Sequence, residues 1–235
     1  MHYLSASIFV RLFLCRCKDL VLDTTYDGSA ITLKAANMST GSSIINPAWM
    51  RITHWLNAIA VIIMILSGWR IYNASPIFSF RIPAQLTMGG WLGGALQWHF
   101  AAMWLLMLNG LIYLAISIIS GRFRRKLLPV SASALVADMK AALSGHLTHD
   151  DISKYNTVQK VAYLAIILDL VLLVISGLAI WKSVQLPLLR DLMGGYDNAR
   201  VVHFYAMAFA VAFLLVHLVM TALVPRTLLA MVRGR

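Results

Sequence analysis

The alternation of long apolar stretches with short polar connections is the strongest pattern in this chain. The apolar stretches lie at approximately residues 48–72, 95–120, 157–182 and 200–224. A helix needs about 20 residues to cross the roughly 30 Å hydrocarbon layer of a membrane, and each stretch is long enough. The pattern predicts an all-α integral membrane four-helix bundle over residues 46–235.

The first part of the chain, residues 1–45, does not follow this pattern. Its apolar run from Ile8 to Leu14 is interrupted by Arg11 and is too short to span a bilayer. We predict a leader that is either disordered or an over-extended start. An interfacial amphipathic segment is the alternative.

Composition narrows the class of protein further. Hydrophobic residues make up 60% of the chain and charged residues 12%, whereas soluble domains are roughly half apolar and about a quarter charged. This excludes a typical water-soluble enzyme. The net charge of +11 is not gathered into dense basic runs, so we expect the lipid bilayer and no nucleic acid as a partner.

The basic residues also predict the orientation of the bundle. Fifteen of the 20 lysines and arginines lie on the side of the two termini and the second loop, and five lie on the opposite side. Cytoplasmic flanks carry this excess in membrane proteins. A multi-pass protein with both termini in the cytoplasm is expected.

Cysteine and glutamate are unavailable as cofactor ligands in the predicted spans. The two cysteines, Cys15 and Cys17, form a C-x-C pair that matches neither covalent haem attachment nor a zinc or iron–sulfur ligand set. The sequence contains no glutamate. A bound cofactor is therefore expected to be held by other side chains.

Histidines are the informative polar residues within the spans. Four of the seven fall there: His54, His99, His203 and His217. Intramembrane imidazoles are uncommon and usually functional. A single histidine within a helix is more often hydrogen-bonded to a neighbouring helix, so no one of the four is informative alone.

Depth relates the four histidines to one another, because a helix rises about 1.5 Å per residue. His54 lies near the start of the first span, and His217 lies a similar distance from the end of the fourth. His99 and His203 match in the same way on the other side of the membrane. The two histidines of the fourth span are 14 residues apart, or roughly 21 Å along one helix face.

Two imidazoles at each of two levels are what two bis-histidine haems require. A zinc site would need more ligands. A proton relay would favour a chain of carboxylates, whereas Asp169 is the one acidic residue deep within a span. The sequence therefore predicts a bundle that encloses two b-type haems.

Two arginines are candidates for binding haem propionates. Arg51 precedes His54 by three residues, and Arg200 precedes His203 by three. Each shares a helix face with its histidine. The alternative is that both arginines are ordinary interfacial anchors.

Small residues recur in three spans and allow either another helix or a flat macrocycle to approach the backbone. They are Ser67-Gly68, Gly110 and Ser176-Gly177.

Three short motifs carry a resemblance to a known family. They are R-x-x-H-W (Arg51, His54, Trp55), K-Y-N-x-x-Q-K (residues 154–160) and G-G-Y-D-x-A-R-x-V-H-F (residues 194–204). With one histidine on each of the first two helices and an H-x13-H pair on the fourth, the chain resembles the prokaryotic cytochrome b561 superfamily over about residues 46–232. This superfamily includes the b-type cytochrome subunits of nickel–iron hydrogenases and membrane formate dehydrogenases.

The resemblance implies specific pairings and partners. His54 with His217 would bind the cytoplasmic haem, and His99 with His203 the periplasmic haem. It also implies the bacterial inner membrane, and a quinone site for ubiquinone or menaquinone at Asn156. We add Lys160 and Tyr155 as candidate hydrogen-bond donors to the quinone, although a helix cap and a snorkelling lysine would explain Asn156 and Lys160 equally well.

The expected function is transmembrane electron transfer between a periplasmic redox partner and the quinone pool. The resemblance points to a molybdopterin oxidoreductase, a hydrogenase or a dehydrogenase as that partner, with this chain as the electron-transfer subunit. A self-contained superoxide:quinone oxidoreductase is one alternative, and a haem-free proton-coupled transporter is a more remote one. The loop residues His146 and His149 could bind a divalent metal, but a solvated loop is the simpler interpretation.

Overall fold

The structure is a computed structural model that describes residues 45–144 and 155–234. Its helices are α1 (Ala48–Ala74), α2 (Leu92–Ile119), α3 (Arg122–Leu127), α4 (Ala132–Leu143), α5 (Thr157–Trp181), α6 (Pro187–Leu192), α7 (Tyr196–Leu223) and α8 (Pro225–Arg233). A short 3₁₀ turn covers Ala84–Leu86. Within the described ranges there is no β-strand.

Helices α1, α2, α5 and α7 are each long and apolar enough to cross a membrane, which confirms the four predicted spans. Helices α2 and α7 begin three and four residues earlier than predicted. The glycines in front of each helix explain the difference, because a pair such as Gly194 and Gly195, both at positive φ, ends the preceding loop sharply.

Residues Ile44–Arg235 form one compact unit. The predicted leader, the loop histidines His146 and His149, and Lys154 of the second motif lie outside the described residues, apart from Ile45 at the leader's last position.

The long helices pack as two hairpins. Helix α1 packs most extensively against α2, and α5 against α7. The largest side chains that are fully buried in the described residues are two serines, Ser67 and Ser176. Small residues let membrane helices approach closely, while large apolar side chains face outward to lipid. The most tightly packed positions in the interior are therefore occupied by small side chains.

Contacts at the two ends of the bundle set the direction of the helices. At one end, Arg51 donates to the carbonyl of Val232 at 2.7 Å, next to the start of α1. We call this the terminal end, since α1 begins and α7 finishes there. At the opposite end, Arg200 of α7 donates to the carbonyl and hydroxyl oxygens of Ser75, just after α1. The four long helices thus run up, down, up and down.

The two hairpins are repeats of one unit. Residues 95–103 and 199–207 share Ala, His-Phe and Ala-Met at the same positions, and Ser-Gly recurs at residues 67–68 and 176–177. Ser67 is the 20th residue of α1, and Ser176 is the 20th residue of α5. Parallel repeats of this kind are related by an axis along the membrane normal.

Contacts between the hairpins follow the same relation. The rings of Tyr72 on α1 and Phe204 on α7 are 5.2 Å apart, with an interplanar angle of 36°. The repeat-related rings of Trp181 on α5 and Phe100 on α2 are 4.8 Å apart, at 39°. The opposite end of the bundle is thus nearly two-fold symmetric.

Candidate functional site

The structure brings the four intramembrane histidines together as two pairs. The ring centres of His54 on α1 and His217 on α7 are 6.1 Å apart. Those of His99 on α2 and His203 on α7 are 6.4 Å apart. The first pair lies toward the terminal end and the second toward the opposite end, as depth along the sequence predicted.

The separations fit a metal ion held between the rings. Two imidazoles that bind one metal from opposite sides, through bonds of about 2 Å, have ring centres roughly 6 Å apart. The described residues contain no cluster of three or more His, Cys, Asp or Glu side chains. This donor set suits a metal whose remaining ligands come from a macrocycle.

Serine hydroxyls orient the His99 and His203 rings. Ser67 Oγ donates to the carbonyl of Ile63 at 2.6 Å, so it accepts a hydrogen bond from His99 Nδ1–H at 3.0 Å. This network assigns the proton to Nδ1 of His99. It leaves the Nε2 lone pair of the ring free to bind a metal.

The second hairpin repeats this arrangement. Ser176 Oγ donates to the carbonyl of Leu172 at 2.7 Å and lies 2.9 Å from His203 Nδ1. The His203 ring is therefore oriented in the same way, with Nε2 free. Sequence reasoning placed these serines at close-packing positions but did not connect them with the histidines.

Glycines make room for the same two rings. A Cβ atom at Gly68 would lie 3.4 Å from His99 Cε1, and one at Gly177 would lie 3.4 Å from His203 Cε1. These imidazoles thus rest directly on the backbone of the neighbouring helix. A larger side chain at either glycine would push the ring away.

The His54/His217 pair at the terminal end does not follow the two-fold relation between the hairpins. The repeat places Tyr163 of α5 where α1 has His54, and Tyr113 of α2 where α7 has His217. Among the described residues, neither imidazole of the His54/His217 pair forms a hydrogen bond, and Phe213 stacks on His217 with ring centres 6.0 Å apart at 8°. The bundle therefore has a pair of histidines on the axis and a second pair to one side of it.

The two predicted propionate arginines bind backbone oxygens. Arg51 donates from Nη1 to Val232, and its Nε is buried without a partner in the described residues. Arg200 donates to Ser75 and lies 3.9 Å from Asp197 Oδ1. Both arginines thus tie helix ends together.

The predicted quinone residues lie at the start of α5. Asn156 caps α5: its Oδ1 accepts from Gln159 N at 2.8 Å, and Gln159 Oε1 accepts from Asn156 N at 3.1 Å. The amide nitrogen of Asn156 has no partner in the described residues. Lys160 Nζ donates to the carbonyl of Pro129 at 3.3 Å.

Two tyrosines lie close to Asn156. The ring of Tyr155 lies 5.1 Å from that of Tyr163, and Lys126 Nζ lies 5.9 Å from the centre of the Tyr155 ring. Tyr163 was not predicted from the sequence, although its place in the repeat could have revealed it.

Asp169 is buried halfway along α5, as expected from the sequence. Its Oδ2 has no hydrogen-bond partner in the described residues. It follows Tyr163 by six residues and precedes Ser176 by seven, so it lies at a depth between the two histidine pairs.

These features define a class of protein. Four membrane-capable helices with paired imidazoles, and without another metal-ligand cluster in the described residues, are the framework of a membrane b-type cytochrome. The family model described as prokaryotic cytochrome b561 matches residues 46–234, and the chain belongs to this family. The predicted resemblance is thereby confirmed. Membership implies b-type haem in a multi-pass membrane protein, and the histidine geometry fits that cofactor.

A curated relative covers most of the chain. It is the protein of Azospira oryzae named "Putative protein-methionine-sulfoxide reductase subunit YedZ1". The two sequences are 59% identical over 197 residues, which is 84% of this chain and 100% of the relative.

Proposed function

We propose that this protein carries electrons across the bacterial inner membrane through two bis-histidine haems. One observation carries the proposal: two histidine pairs lie at different depths, with ring centres 6.1 and 6.4 Å apart. His99 and His203 would hold one haem, and His54 and His217 the other. Each haem, when bound, supplies reversible one-electron chemistry.

The protein's own residues would position the cofactors and exclude water. Ser67 and Ser176 fix the orientation of two ligand rings, and the glycines beside them let those rings reach the centre of the bundle. The rings of Phe204 and Tyr72 pack together between the His99/His203 pair and the opposite end of the bundle, and they cover the pair on that side. Rigid, dry ligation of this kind favours electron transfer over reactions with water.

The distribution of charge supports a cytoplasmic location for the terminal end. Of the 14 lysines and arginines that the structure describes, nine belong to the helices and loops of that end and five to the opposite end. The His54/His217 pair would then face the cytoplasmic leaflet, and the His99/His203 pair the periplasm. Electrons would cross most of the membrane between the two levels.

The outer partner is proposed from the relative's name. That protein is named as a subunit of a protein-methionine-sulfoxide reductase. We infer that this chain is likewise the membrane subunit of a periplasmic oxidoreductase. Because a reductase consumes electrons, quinol oxidation on the terminal side would supply them.

A quinone site is proposed beside the start of α5. The Asn156 side chain caps the helix through its oxygen and keeps two N–H donors free for a quinone oxygen. Lys160, Tyr155 and Tyr163 lie along the same stretch and offer further donors.

Replacing Asn156 with serine tests whether its side chain binds quinone in addition to capping α5. Serine caps a helix about as well as asparagine, so α5 should stay intact while the amide donors are lost. We expect the KM for quinol to rise several-fold with unchanged haem content, measured by steady-state quinol oxidation. The matched control is Gln159→Ala, which breaks the capping box and should lower thermal stability without raising KM. A KM for Asn156→Ser equal to that of the unmodified protein would remove Asn156 from the site.

Transmembrane transfer is tested in sealed liposomes that contain the purified protein. Quinol in the membrane should reduce an impermeant acceptor, such as ferricyanide, present only on the opposite side of the bilayer. We expect the rate to fall to that of protein-free liposomes in both His54→Ala and His99→Ala. A rate that survives the loss of either pair would contradict a path that uses both.

A further inference from the structure

A cavity of about 370 Å³ opens where α1 ends and α2 begins, at the end of the bundle opposite the terminal end. Its lining comes from the last turns of α1, the loop that follows, and the first residue of α2. The lining residues are Arg70, Asn73, Ala74, Arg81, Ile82, Ala84 and Leu92. Asn73 fixes the loop, since its side chain donates to the carbonyl of Ile82 at 2.7 Å and accepts from Ile82 N at 2.9 Å.

The two arginines of this cavity are not neutralised. Neither Arg70 nor Arg81 has a hydrogen-bond or ion-pair partner in the part of the chain that the structure describes. The described carboxylates at this end are already matched. Asp191 lies 2.8 Å from Arg190, and Asp197 lies 3.9 Å from Arg200. Two guanidinium groups in one cavity therefore have no anionic partner among the described residues.

The cavity lies on the same helix faces as the His99 site. Arg70 and Ala74 follow Ser67 by three and seven residues, which returns them to its face of α1. Leu92 precedes His99 by seven residues and shares its face of α2. Seven residues of helix rise roughly 10 Å, so the cavity lies about that far above the imidazole.

The two hairpins differ at the position of Arg70. The position of Arg70 in α1 corresponds to Ala179 in α5, which is fully buried. The second hairpin has no room for a ligand group at that position. The His99/His203 site is symmetric, but only one of its two sides carries this positive charge. Such an arrangement suits an asymmetric ligand, for example a macrocycle with acidic groups on one edge.

We propose that this cavity binds a carboxylate, and that the carboxylate is a propionate of the haem held by His99 and His203. Arginine is suited to this role because its planar fork donates two parallel hydrogen bonds to one carboxylate. Arg70 is half-buried and would make the closer contact, with Arg81 covering the propionate from the loop. The inference rests on the proposed haem ligation and replaces Arg200, which binds Ser75, as the propionate partner at this level.

The test uses purified full-length protein with Arg70→Gln, Arg81→Gln and the double substitution. Removing positive charge beside a haem disfavours its reduced form, so the midpoint potential of the His99/His203 haem should fall. A tenfold change in the ratio of oxidised to reduced haem corresponds to 59 mV for a one-electron couple. We expect about that shift in the double variant, no shift of the other haem, and partial recovery in Arg70→Lys. Arg190→Gln, which removes a paired arginine from the same end, is the matched control.

A second measurement identifies the source of the carboxylate. Apoprotein is titrated with haem and with its dimethyl ester, which lacks acidic propionates. At this site the unmodified protein should prefer haem over the ester by roughly tenfold or more, and the double variant should lose the preference. Equal preference in both proteins, with unshifted potentials, would overturn the proposal. If the arginine variants instead lose only a carboxylate-bearing partner protein, the propionate assignment is overturned as well. Absence of haem from the unmodified protein would refute the proposed function itself, which is a separate outcome.

Discussion

Leucine in place of Gly68 is expected to remove the haem of the His99/His203 pair while leaving the other haem bound. The His99 ring lies in van der Waals contact with the position of a Cβ at Gly68, so the added side chain must displace it. Overpacking a closely packed site costs about 1–3 kcal/mol even when neighbours can shift. Haem content and reduced-minus-oxidised absorption spectra of the purified protein measure the loss. Gly177→Leu should act in the same way through His203.

The control for this substitution is Ala101→Leu. Ala101 also lies inside a long helix, but its side chain is exposed on the outer surface of the bundle. The variant should keep both haems, because the larger apolar side chain extends toward lipid. Full haem content in Gly68→Leu, with spectra identical to those of Ala101→Leu, would show that His99 does not need this close approach.

Alanine in place of Ser67 or Ser176 should change the electronic character of the haem between His99 and His203. Each substitution leaves a buried imidazole N–H without its acceptor, at a cost of about 1–3 kcal/mol. A ring that no longer donates this hydrogen bond is a weaker electron donor to the iron. We therefore expect a higher midpoint potential for this haem, measured by spectroelectrochemical titration.

The potential of the His54/His217 haem should not move in these serine variants. That pair receives no serine hydrogen bond from the described residues, so it serves as an internal reference within each titration. Ser120→Ala, close to the end of α2, is the external control, because its hydroxyl reaches only the carbonyl of Ser117 at 3.4 Å. Equal shifts of both haems would indicate a general loss of packing in place of a specific ligand effect.

The sequence predicted the helices and the histidine pairs because both follow from length and depth. Apolar runs of more than 20 residues leave little choice of structure in a membrane. Once their ends are fixed, a rise of about 1.5 Å per residue places His54 level with His217, and His99 level with His203. Tertiary contacts could alter the azimuth of each ring but not its depth.

The contacts around the histidines could not be predicted in the same way. Ser67-Gly68 and Ser176-Gly177 were recognised as small, but their direction depends on how α1 and α5 rotate against their neighbours. Comparing the two halves of the chain would have helped, since the Ser-Gly and His-Phe pairs repeat together.

The cationic residues show a second limit. Arg51 and Arg200 share helix faces with the histidines, yet the structure directs both to backbone oxygens at helix ends. The position of Arg81 depends on the loop after α1, which the apolar pattern does not specify. Spacing along a helix cannot predict contacts that a loop creates.

The asymmetry of the two histidine levels follows from the repeat. Two histidines related by the repeat, His99 and His203, meet near its axis. At the other level, Tyr113 and Tyr163 stand where the repeat would have two further histidines. Among the proposed quinone residues, Tyr163 corresponds in depth to His54, whereas Asn156 lies seven residues, or roughly 10 Å, closer to the terminal end.

The most direct test of the account is haem quantitation with reduced-minus-oxidised spectra on the unmodified protein, His99→Ala and His54→Ala. We predict two b-type haems per chain in the unmodified protein and one in each variant. The haem that remains should differ between the two variants in its absorption maximum or midpoint potential. Retention of both haems in either variant, or loss of the same haem in both, would contradict the assignment of the histidine pairs.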